Sequence, residues 1–305
     1  MRHSIRIGTR GSKLALIQTN AVISALQIAN PELDFQIINI LSTGDEFPEE
    51  KITSFGIGAF TSKLEQALIE DRIDIAVHSL KDLPTSETAG TTTIAVLKRE
   101  DPRDVVINRW SKSFLDLPKG ARIGTSSIRR IAQLQHGSKD ILFLDIRGNV
   151  ETRINKSYGE SYDGVILAAA GIKRLGLEKH ITEYLSPKIC TPSAGQATIA
   201  AQVRENDSDL INFIYKIVDQ STILAVQAER ELLKLAGGGC NVPLGVYAFV
   251  NENMIELFAT ITEPDGSMSY RVEITGESKE PELLAHAAYQ ALIEQGAASL
   301  LEKLR

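Results

Sequence analysis

The 305-residue sequence predicts two similar α/β halves followed by a small α+β domain. Over the first two thirds of the chain, short apolar runs alternate with segments of helical periodicity, which is typical of sheets with crossover helices. The segment 7–12 also resembles 123–129, and this short likeness suggests a duplication. The C-terminal part differs, because strand-like segments follow one another directly before a long helical segment.

The first half begins with a strand at 5–9 and a helix that starts after Ser12, because serine favours the N-cap position. Three further strands and one helix are predicted here, at 35–41, 73–77 and 91–97, and at 61–70. Their alternation indicates a mainly parallel sheet. The polar, proline-containing segment 98–104 then predicts a hinge.

The second half repeats the alternation. Strands are predicted at 105–107, 122–124, 141–144 and 165–167, with helices after Ser126, Gly148 and Ala169. Helices at 196–205, 210–218 and 221–235 lead into Gly237. Strands at 245–250, 255–261 and 269–274 and a helix at about 281–304 complete the third domain.

Composition narrows the class of protein. The 43% hydrophobic and 24% charged residues are typical of a soluble globular protein, and no apolar run approaches the roughly 20 residues of a membrane span. The N-terminus begins a strand at once, so we expect a cytoplasmic protein with no membrane partner. The net charge of −6 argues against nonspecific nucleic-acid binding, although it can conceal a local basic cleft. The two cysteines, Cys190 and Cys240, have neither disulfide nor zinc spacing, so no metal is expected.

Arginines recur at loops and helix starts in both halves. Guanidinium groups and helix N-terminal amides together bind carboxylates or phosphates. For any one arginine, an ordinary solvated surface position is favoured by roughly three to one. The repetition nevertheless favours an anionic ligand for the set Arg10, Arg129, Arg130, Arg147, Arg153 and Arg174.

The segment 78–85 follows an apolar strand, where α/β sheets place their ligands. Asp82 in this position could stabilise a cationic intermediate or shuttle a proton. The alternative is a turn with a surface ion pair between Lys81 and Asp82, which the local sequence slightly favours. His78 is interpreted as a half-buried, hydrogen-bonded residue rather than a catalytic one.

Cys240 follows three consecutive glycines, Gly237 to Gly239. It fits two interpretations equally, a buried small hydrophobe or an accessible nucleophile. Cys190 has no special neighbours and is expected to be inert.

Taken together, these segments closely resemble the hydroxymethylbilane synthase family, also called porphobilinogen deaminase. The resemblance runs along nearly the whole chain. It is carried in order by the segments 7–16, 58–60, 78–84, 123–130, 147–153, 168–176 and 238–245.

The resemblance implies three domains, of which the first two are similar to periplasmic binding proteins and flank a cleft. They would comprise 1–98 with 194–219, then 99–193, then 220–305, the last with the Cys240 loop. It also implies a dipyrromethane cofactor bound to Cys240 by a thioether. Four porphobilinogen molecules would be added to this primer head to tail, with loss of ammonia, before hydrolytic release of the linear tetrapyrrole. The enzyme would be a monomeric transferase.

The same resemblance assigns roles to individual residues. Each pyrrole carries an acetate and a propionate group, which arginines can hold in bidentate fashion. Asp82 would be catalytic, stabilising the cation that loss of ammonia produces. The implied cofactor contacts are Lys81, Asp82, Ser127, Arg129, Arg130 and Arg147. The implied substrate contacts are Arg10, Ser12, Arg153 and Arg174.

Four positions depart from the family pattern. Ile57 and Ser62 stand in a segment where the family has a lysine and a differently spaced second lysine, and Ala197 and Gln202 replace a glycine and a glutamate. Two other functions remain open: an anionic solute-binding protein, which two α/β lobes could also form, and a homologue with impaired catalysis.

Overall fold

The computed structural model describes residues 4–41, 61–138, 140–237 and 242–304. The chain folds into two compact units. The first combines Met1–Glu100 with Ala197–Ile223, and the second combines Asp101–Gln196 with Leu224–Arg305. The chain therefore leaves the first unit and later returns to it.

Elements are numbered in chain order. The described strands are β1 (Ser4–Thr9), β2 (Asp34–Asn39), β3 (Ile75–Ser79), β4 (Thr91–Val96), β5 (Asp104–Asn108), β6 (Arg122–Gly124), β7 (Leu142–Leu144), β8 (Gly164–Ala168), β9 (Glu183–Tyr184), β10 (Ile199–Arg204), β11 (Leu244–Asn251), β12 (Met254–Thr262) and β13 (Ser269–Glu277). The described α-helices are α1 (Lys13–Ala29), α2 (Ser62–Ile69), α3 (Ile128–Gly137), α4 (Val150–Lys156), α5 (Ala169–Arg174), α6 (Ser208–Ile214), α7 (Gln220–Leu235), α8 (Pro281–Leu292) and α9 (Ala298–Leu304).

Side-chain caps fix the starts of α1, α3 and α4, each of which follows a strand. Ser12 caps α1 by accepting from the Ala15 amide at 3.2 Å, as its sequence position predicts. Ser127 caps α3 in the same way, and Asn149 caps α4. Each cap satisfies an amide that the first helical turn leaves without a partner.

The two five-stranded sheets share one topology. The first has the order β2-β1-β3-β10-β4 and the second has the order β7-β6-β8-β5-β9. In each, the first three strands are parallel, and the last two pairings are antiparallel. The predicted duplication of two α/β halves is thus confirmed in the topology.

The expectation of a mainly parallel sheet is confirmed, since four of the five strands in each sheet run in the same direction and one runs against them. The strands that break the parallel run are β10 and β5. Each is the first strand that the chain forms after crossing into a unit, since β5 follows the crossing near 100 and β10 the crossing near 196. Periodicity identifies such strands without revealing their direction.

An arginine–aspartate pair joins the parallel strands in each sheet. In the first unit, the Arg6 amide donates to Oδ2 of Asp74 at 2.9 Å and its guanidinium donates to both carboxylate oxygens. In the second unit, Arg122 makes the same three hydrogen bonds to Asp163. The arginine lies two residues before the glycine that ends or nearly ends its strand, and the aspartate immediately precedes the neighbouring strand.

Each of these aspartates also faces a second arginine. Arg204, at the end of β10, lies 3.0 Å from Asp74, and Arg109, just after β5, lies 3.5 Å from Asp163. The strands β10 and β5 occupy the same place in the two sheets. The duplication therefore extends from topology to a polar group of three side chains.

The apolar core of the first unit lies between its sheet and α1. Ile7, Ile75, Val22 and Leu26 are fully buried there. Burial of each such side chain contributes about 1.5–3 kcal/mol. The core thereby holds α1 against the strands whose ends carry the candidate site.

None of the described helices is both long enough and apolar enough to cross a membrane.

The C-terminal part is the predicted small α+β structure. Its sheet has the order β11-β12-β13, antiparallel throughout, and packs against α7, α8 and α9. The predicted single helix over 281–304 is interrupted by a π-helical turn at Ile293–Ala297. Gly296 has φ +108° there, a conformation that glycine adopts without strain.

The helix predicted over 196–205 is wrong, because this segment forms β10. Five of its six residues are buried, so the strand shows no alternation of polar and apolar residues. Alanine, glutamine and arginine are moreover good helix formers. Pairing with β3 on one side and β4 on the other overrides that preference.

Ala197 provides a test of backbone strain at the return into the first unit. Its φ is +73°, in the left-handed region that costs a non-glycine residue about 1–2 kcal/mol. We expect Ala197→Gly to raise the free energy of unfolding by about 0.5–1 kcal/mol in urea titrations, after the entropy that glycine adds to the unfolded chain is subtracted. The control is Ala200→Gly in regular β10, which should be destabilising. An equal loss of stability in both variants would contradict the strain at Ala197.

Candidate active site

In the first unit, two of the predicted residues lie where β1 meets α1. Arg10 and Ser12 follow the carboxyl end of β1. β3 is the parallel neighbour of β1, and its end leads into a 3-10 turn over Leu80–Asp82. The predicted Lys81 and Asp82 are therefore on the same edge of the sheet as Arg10, which is where α/β folds bind ligands.

A cavity of about 100 Å³ lies at this edge. It is lined by Arg10, Ser12, Gln18, His78, Ser79 and Asp82, among others. Gln18 and Ser79 are joined by a hydrogen bond of 2.9 Å, and the Asp82 residue is exposed. The cavity therefore offers a cation, hydroxyl groups and a solvent-accessible carboxylate to one small ligand group.

His78 is buried beneath the cavity, at 6% exposure. Burial lowers its pKa to about 4, the side-chain amide of Gln202 opposes this shift, and the positive charge of Arg10 adds to it. Nε2 makes no hydrogen bond of normal geometry within the described residues. His78 is thus buried more completely than the expected half-buried residue, and Gln202 is the polar side chain that acts on its charge.

The replacement at Gln202 fits its surroundings. Its amide nitrogen lies 3.2 Å from the Glu65 carboxylate and 3.0 Å from the Thr91 hydroxyl, and both glutamine and glutamate are buried. A glutamate at position 202 would place two carboxylates together out of water, which is unfavourable. The neutral amide instead donates to Glu65.

In the second unit, the two consecutive arginines at the start of α3 are buried and share one carboxylate. Arg129 and Arg130 are each 7% exposed. Arg129 donates to Oδ2 of Asp104 at 2.8 Å, and Arg130 donates to Oδ1 at 2.7 Å. Burial by itself would raise the pKa of Asp104, but the two guanidinium charges outweigh it and hold that pKa well below its usual range.

Arg147 and Arg153 lie close enough to extend this charge. Burial lowers the pKa of Arg153, and the charges of Arg130 and Arg147 lower it further. Asp145 opposes that effect and lies 3.3 Å from Arg147. We call Arg129, Arg130, Arg147 and Arg153 the arginine cluster. It surrounds the ends of parallel strands, since β6 leads to α3 and β7 leads to α4.

The remaining predicted residues have different placements. Ser127 caps α3 at the edge of the arginine cluster, with its hydroxyl 3.4 Å from the Arg130 amide. Arg174 is the last residue of α5, which follows β8. Cys240, with Gly238 and Gly239, lies outside the described residues, as does Ile57. Cys190 is fully buried, and burial raises the pKa of its thiol to about 12, in agreement with the expected inert residue.

Sequence reasoning missed Asp104, which it placed in a polar hinge. A signal was available, because buried arginines are rare unless a carboxylate pairs with them, and Asp104 directly precedes an apolar run. Gln196 was also missed. Its amide lies 2.9 Å from the Asp104 carboxylate and 2.7 Å from the Pro102 carbonyl.

The donor sets suit carboxylate ligands. Among the described residues, the four guanidinium groups of the arginine cluster face the carboxylates of Asp104 and Asp145, and Nε of Arg130 is buried with no hydrogen-bond partner. This surplus of positive charge fits an anionic, multi-carboxylate group such as a dipyrromethane. Among the residues that the structure describes, no group of His, Cys, Asp or Glu could hold a metal ion.

Two family models match the chain. Residues 5–212 match the one described as porphobilinogen deaminase, dipyromethane cofactor binding domain. Residues 223–294 match the one described as porphobilinogen deaminase, C-terminal domain. Together they span most of the sequence.

Full-length relatives carry the same name. The porphobilinogen deaminase of Syntrophomonas wolfei is 42% identical, covering 99% of this chain and 99% of its own length. The Carboxydothermus hydrogenoformans enzyme is 40% identical, and the match covers 100% of this chain and 98% of that protein. The Oceanobacillus iheyensis enzyme is 41% identical, and the match covers 99% of this chain and 97% of that protein.

Among solved structures, a probable amino-acid ABC transporter extracellular-binding protein from Bacillus subtilis matches with a TM-score of 0.45 at 12% identity, covering 71% of this chain and 90% of that one. This likeness is too weak to support a fold or a function.

His78 predicts a pH dependence of stability. Its folded pKa of about 4 lies below the unfolded value of 6.5, so the unfolded chain binds the proton first as the pH falls. The contribution to stability is therefore fully present above pH 6.5 and is lost between pH 6.5 and 4, by roughly 3 kcal/mol in total. We expect His78→Asn to flatten this part of the pH profile in urea titrations.

The matched control for this measurement is His286→Asn, because His286 is exposed with 54% of its side chain accessible. Its profile should follow that of the unmodified protein. A His78→Asn profile as steep as the control between pH 6.5 and 4 would show that His78 is not the titrating group.

Proposed function

This chain belongs to the porphobilinogen deaminase family, and from that premise we propose that it is a transferase that condenses four porphobilinogen molecules head to tail. Each condensation releases ammonia, and hydrolysis finally releases the linear tetrapyrrole hydroxymethylbilane. The observation that carries the proposal is the arginine cluster, in which positive charge exceeds negative charge at the ends of parallel strands. A growing oligopyrrole adds two carboxylates with every ring, and this cluster can bind them.

The arginines bind rather than react. A guanidinium group stays protonated and offers paired N–H donors that match a carboxylate. Arg129, Arg130 and Arg147 would hold the carboxylates of the primer, with Lys81 and Ser127 as further contacts. Arg10, Ser12, Arg153 and Arg174 would hold those of the incoming substrate. Fixed orientation of both partners reduces the entropic cost of joining them.

Asp82 would provide the catalytic charge. It is an exposed carboxylate at the cavity of the first unit, held in the short turn after β3. Loss of ammonia makes the substrate a cation, and a carboxylate that faces the pyrrole nitrogens stabilises the positive charge. The same group can accept a hydrogen bond from those nitrogens and orient the ring.

The dipyrromethane, when bound, supplies a covalently held pyrrole carbon that reacts with the activated substrate. Cys240 would hold it by a thioether, and Asp82 would be one of its contacts. The chain's own residues keep the growing product anionic and bound, since each new acetate and propionate can pair with a guanidinium group.

We also propose a domain organisation, an oligomeric state and a cellular location for this chain. Three domains, 1–98 with 194–219, 99–193 and 220–305, would act as a monomer in the cytoplasm without nucleic-acid or membrane partners. The match to the curated relatives over nearly their whole length supports a shared domain complement.

Intact-protein mass spectrometry, combined with an assay of released tetrapyrrole, distinguishes the enzyme from its two rivals. Protein purified from cells that make porphobilinogen should carry an adduct of two pyrrole units that survives denaturation. A solute-binding protein would be unmodified, and a homologue with impaired catalysis would carry the adduct without releasing tetrapyrrole. Unmodified protein from such cells would refute the proposal.

Cys240→Ser should abolish this adduct, because a serine hydroxyl is a much weaker nucleophile than a thiol and does not form the thioether. The matched control is Cys190→Ser, the only other cysteine in the sequence, which should still carry the adduct. Mass spectrometry of the intact proteins and of their peptides measures both. Normal loading of Cys240→Ser would exclude Cys240 as the attachment site.

Asp82→Asn should retain the adduct but slow elongation by about 10²–10³-fold, since the variant keeps the size of the side chain and deletes the charge. Single-turnover rates with porphobilinogen measure this effect. Asp116→Asn is the control, because Asp116 is likewise the exposed last residue of a 3-10 turn, Phe114–Asp116. Equal rates for the two variants would remove Asp82 from the catalytic role.

A further inference from the structure

Asp104 is a saturated buried carboxylate at the start of β5. It is 0% exposed and receives hydrogen bonds from Arg129, Arg130, Gln196 and the thiol of Cys190. Each carboxylate oxygen holds a different guanidinium group. With its acceptor sites occupied and no access to solvent, Asp104 does not itself contact a ligand.

The two guanidinium groups are also held from their other side. Nη1 of Arg129 donates to the Thr191 carbonyl at 2.6 Å, and Nη1 of Arg130 donates to the Ile166 carbonyl at 3.0 Å. Because each planar group is fixed by a carboxylate and a carbonyl, its orientation is set before any ligand arrives. Such preorganisation reduces the side-chain conformational entropy that is lost when a ligand binds.

The charges do not balance. Arg129 and Arg130 bring two positive charges to the single negative charge of Asp104, and the neighbouring Cys190 thiol stays protonated because burial raises its pKa to about 12. One positive charge is therefore left in a buried place, and Nε of Arg130 has no partner within the described residues.

Asp163, which also holds two arginines, lacks this property. The arginines at Asp163 are more open to water, with 35% of the Arg109 side chain and 38% of the Arg122 side chain exposed. Solvent therefore screens their charge. At Asp104, only 8% of the Arg129 side chain and 9% of the Arg130 side chain is exposed, so solvent screens their charge much less.

We propose that Asp104 is a positioning residue, which fixes Arg129 and Arg130 as a preset pair that attracts the carboxylates of the primer. This inference rests on the proposed function for the identity of the ligand. The role of Asp104 itself is indirect: it aligns two guanidinium groups and leaves one charge for the ligand to neutralise. Its loss should weaken anion binding even though a negative charge is removed from the site.

The test uses the full-length chain in unloaded form, from cells that cannot make porphobilinogen. Asp104→Asn, Asp104→Glu and the control Asp163→Asn are compared with the unmodified chain. Covalent loading is followed by intact mass as porphobilinogen is titrated, and binding of benzene-1,2,4,5-tetracarboxylate, a tetracarboxylate probe, is measured by calorimetry. Thermal midpoints are recorded for every variant.

Asp104→Asn should require about tenfold more porphobilinogen for half-maximal loading and bind the probe about tenfold more weakly. Asp104→Glu keeps the charge and moves the carboxylate by one methylene, so it should show the same direction of change, and it carries the test if Asp104→Asn does not fold. Asp163→Asn should lower the thermal midpoint and leave both binding measurements unchanged.

Three results would overturn the inference. The first is that the Asp104 variants bind the probe as tightly as the unmodified chain or more tightly, as expected if the carboxylate only competes with the ligand. The second is that Asp163→Asn weakens binding by the same factor, so that Asp104 has only a stabilising role. The third is that Asp104→Glu binds and loads like the unmodified chain, so that the charge at 104 is required and its position is not. If the unmodified chain binds the probe but is never covalently loaded with porphobilinogen, the proposed function is wrong. The positioning role of Asp104 is then decided by the probe affinities of the variants alone.

Discussion

The carboxylate of Asp104 holds two guanidinium groups away from water, and the candidate site of the second unit is arranged around it. Moving three charged groups out of solvent carries a large desolvation cost, and mutual attraction offsets it only when the hydrogen-bond geometry is good. Here each oxygen has its own arginine, and Gln196 and two backbone carbonyls complete the contacts. The group is therefore stable as a whole, and the absence of one member would leave the others uncompensated.

The same kind of interaction recurs where the two sheets are built. Asp74 and Asp163 each tie a strand to its parallel neighbour through one arginine and meet a second arginine from the strand that entered by crossing. In both units, the strand ends on which the candidate residues lie belong to the parallel part of the sheet. Structural ion pairs and candidate binding groups are thus separate sets of arginines on one framework.

Much of this framework was predictable from local signals. Ser12 has the side chain of a helix cap, the directly consecutive strand segments of the C-terminal part correspond to β11 to β13, and the repeated strand, loop and helix units gave two α/β halves. The sequence positions of Arg10, Asp82 and Ser127 also placed them correctly at strand ends. These features depend on a few neighbouring residues, which is why periodicity and capping rules find them.

The misses depend on distant partners. β10 was predicted as a helix because its strand character comes from β3 and β4, more than a hundred residues earlier in the chain. Asp104 was read as part of a polar hinge because its two arginines come from α3. No local pattern encodes which carboxylate a buried arginine will meet. The one reversed strand of each sheet, β10 or β5, escaped prediction for the same reason.

The place of β10 between β3 and β4 has a consequence for the order in which the protein is made. The ribosome releases β1 to β4 first, yet their sheet lacks its fourth member until residue 204 has emerged. All five strands of the second sheet lie between residues 104 and 184, so that sheet can close earlier although it is encoded later. During this interval the facing edges of β3 and β4 have no strand between them, and such edges are open to wrong pairing. In the nascent chain, the edges most open to wrong pairing are therefore those of β3 and β4, which are synthesised early.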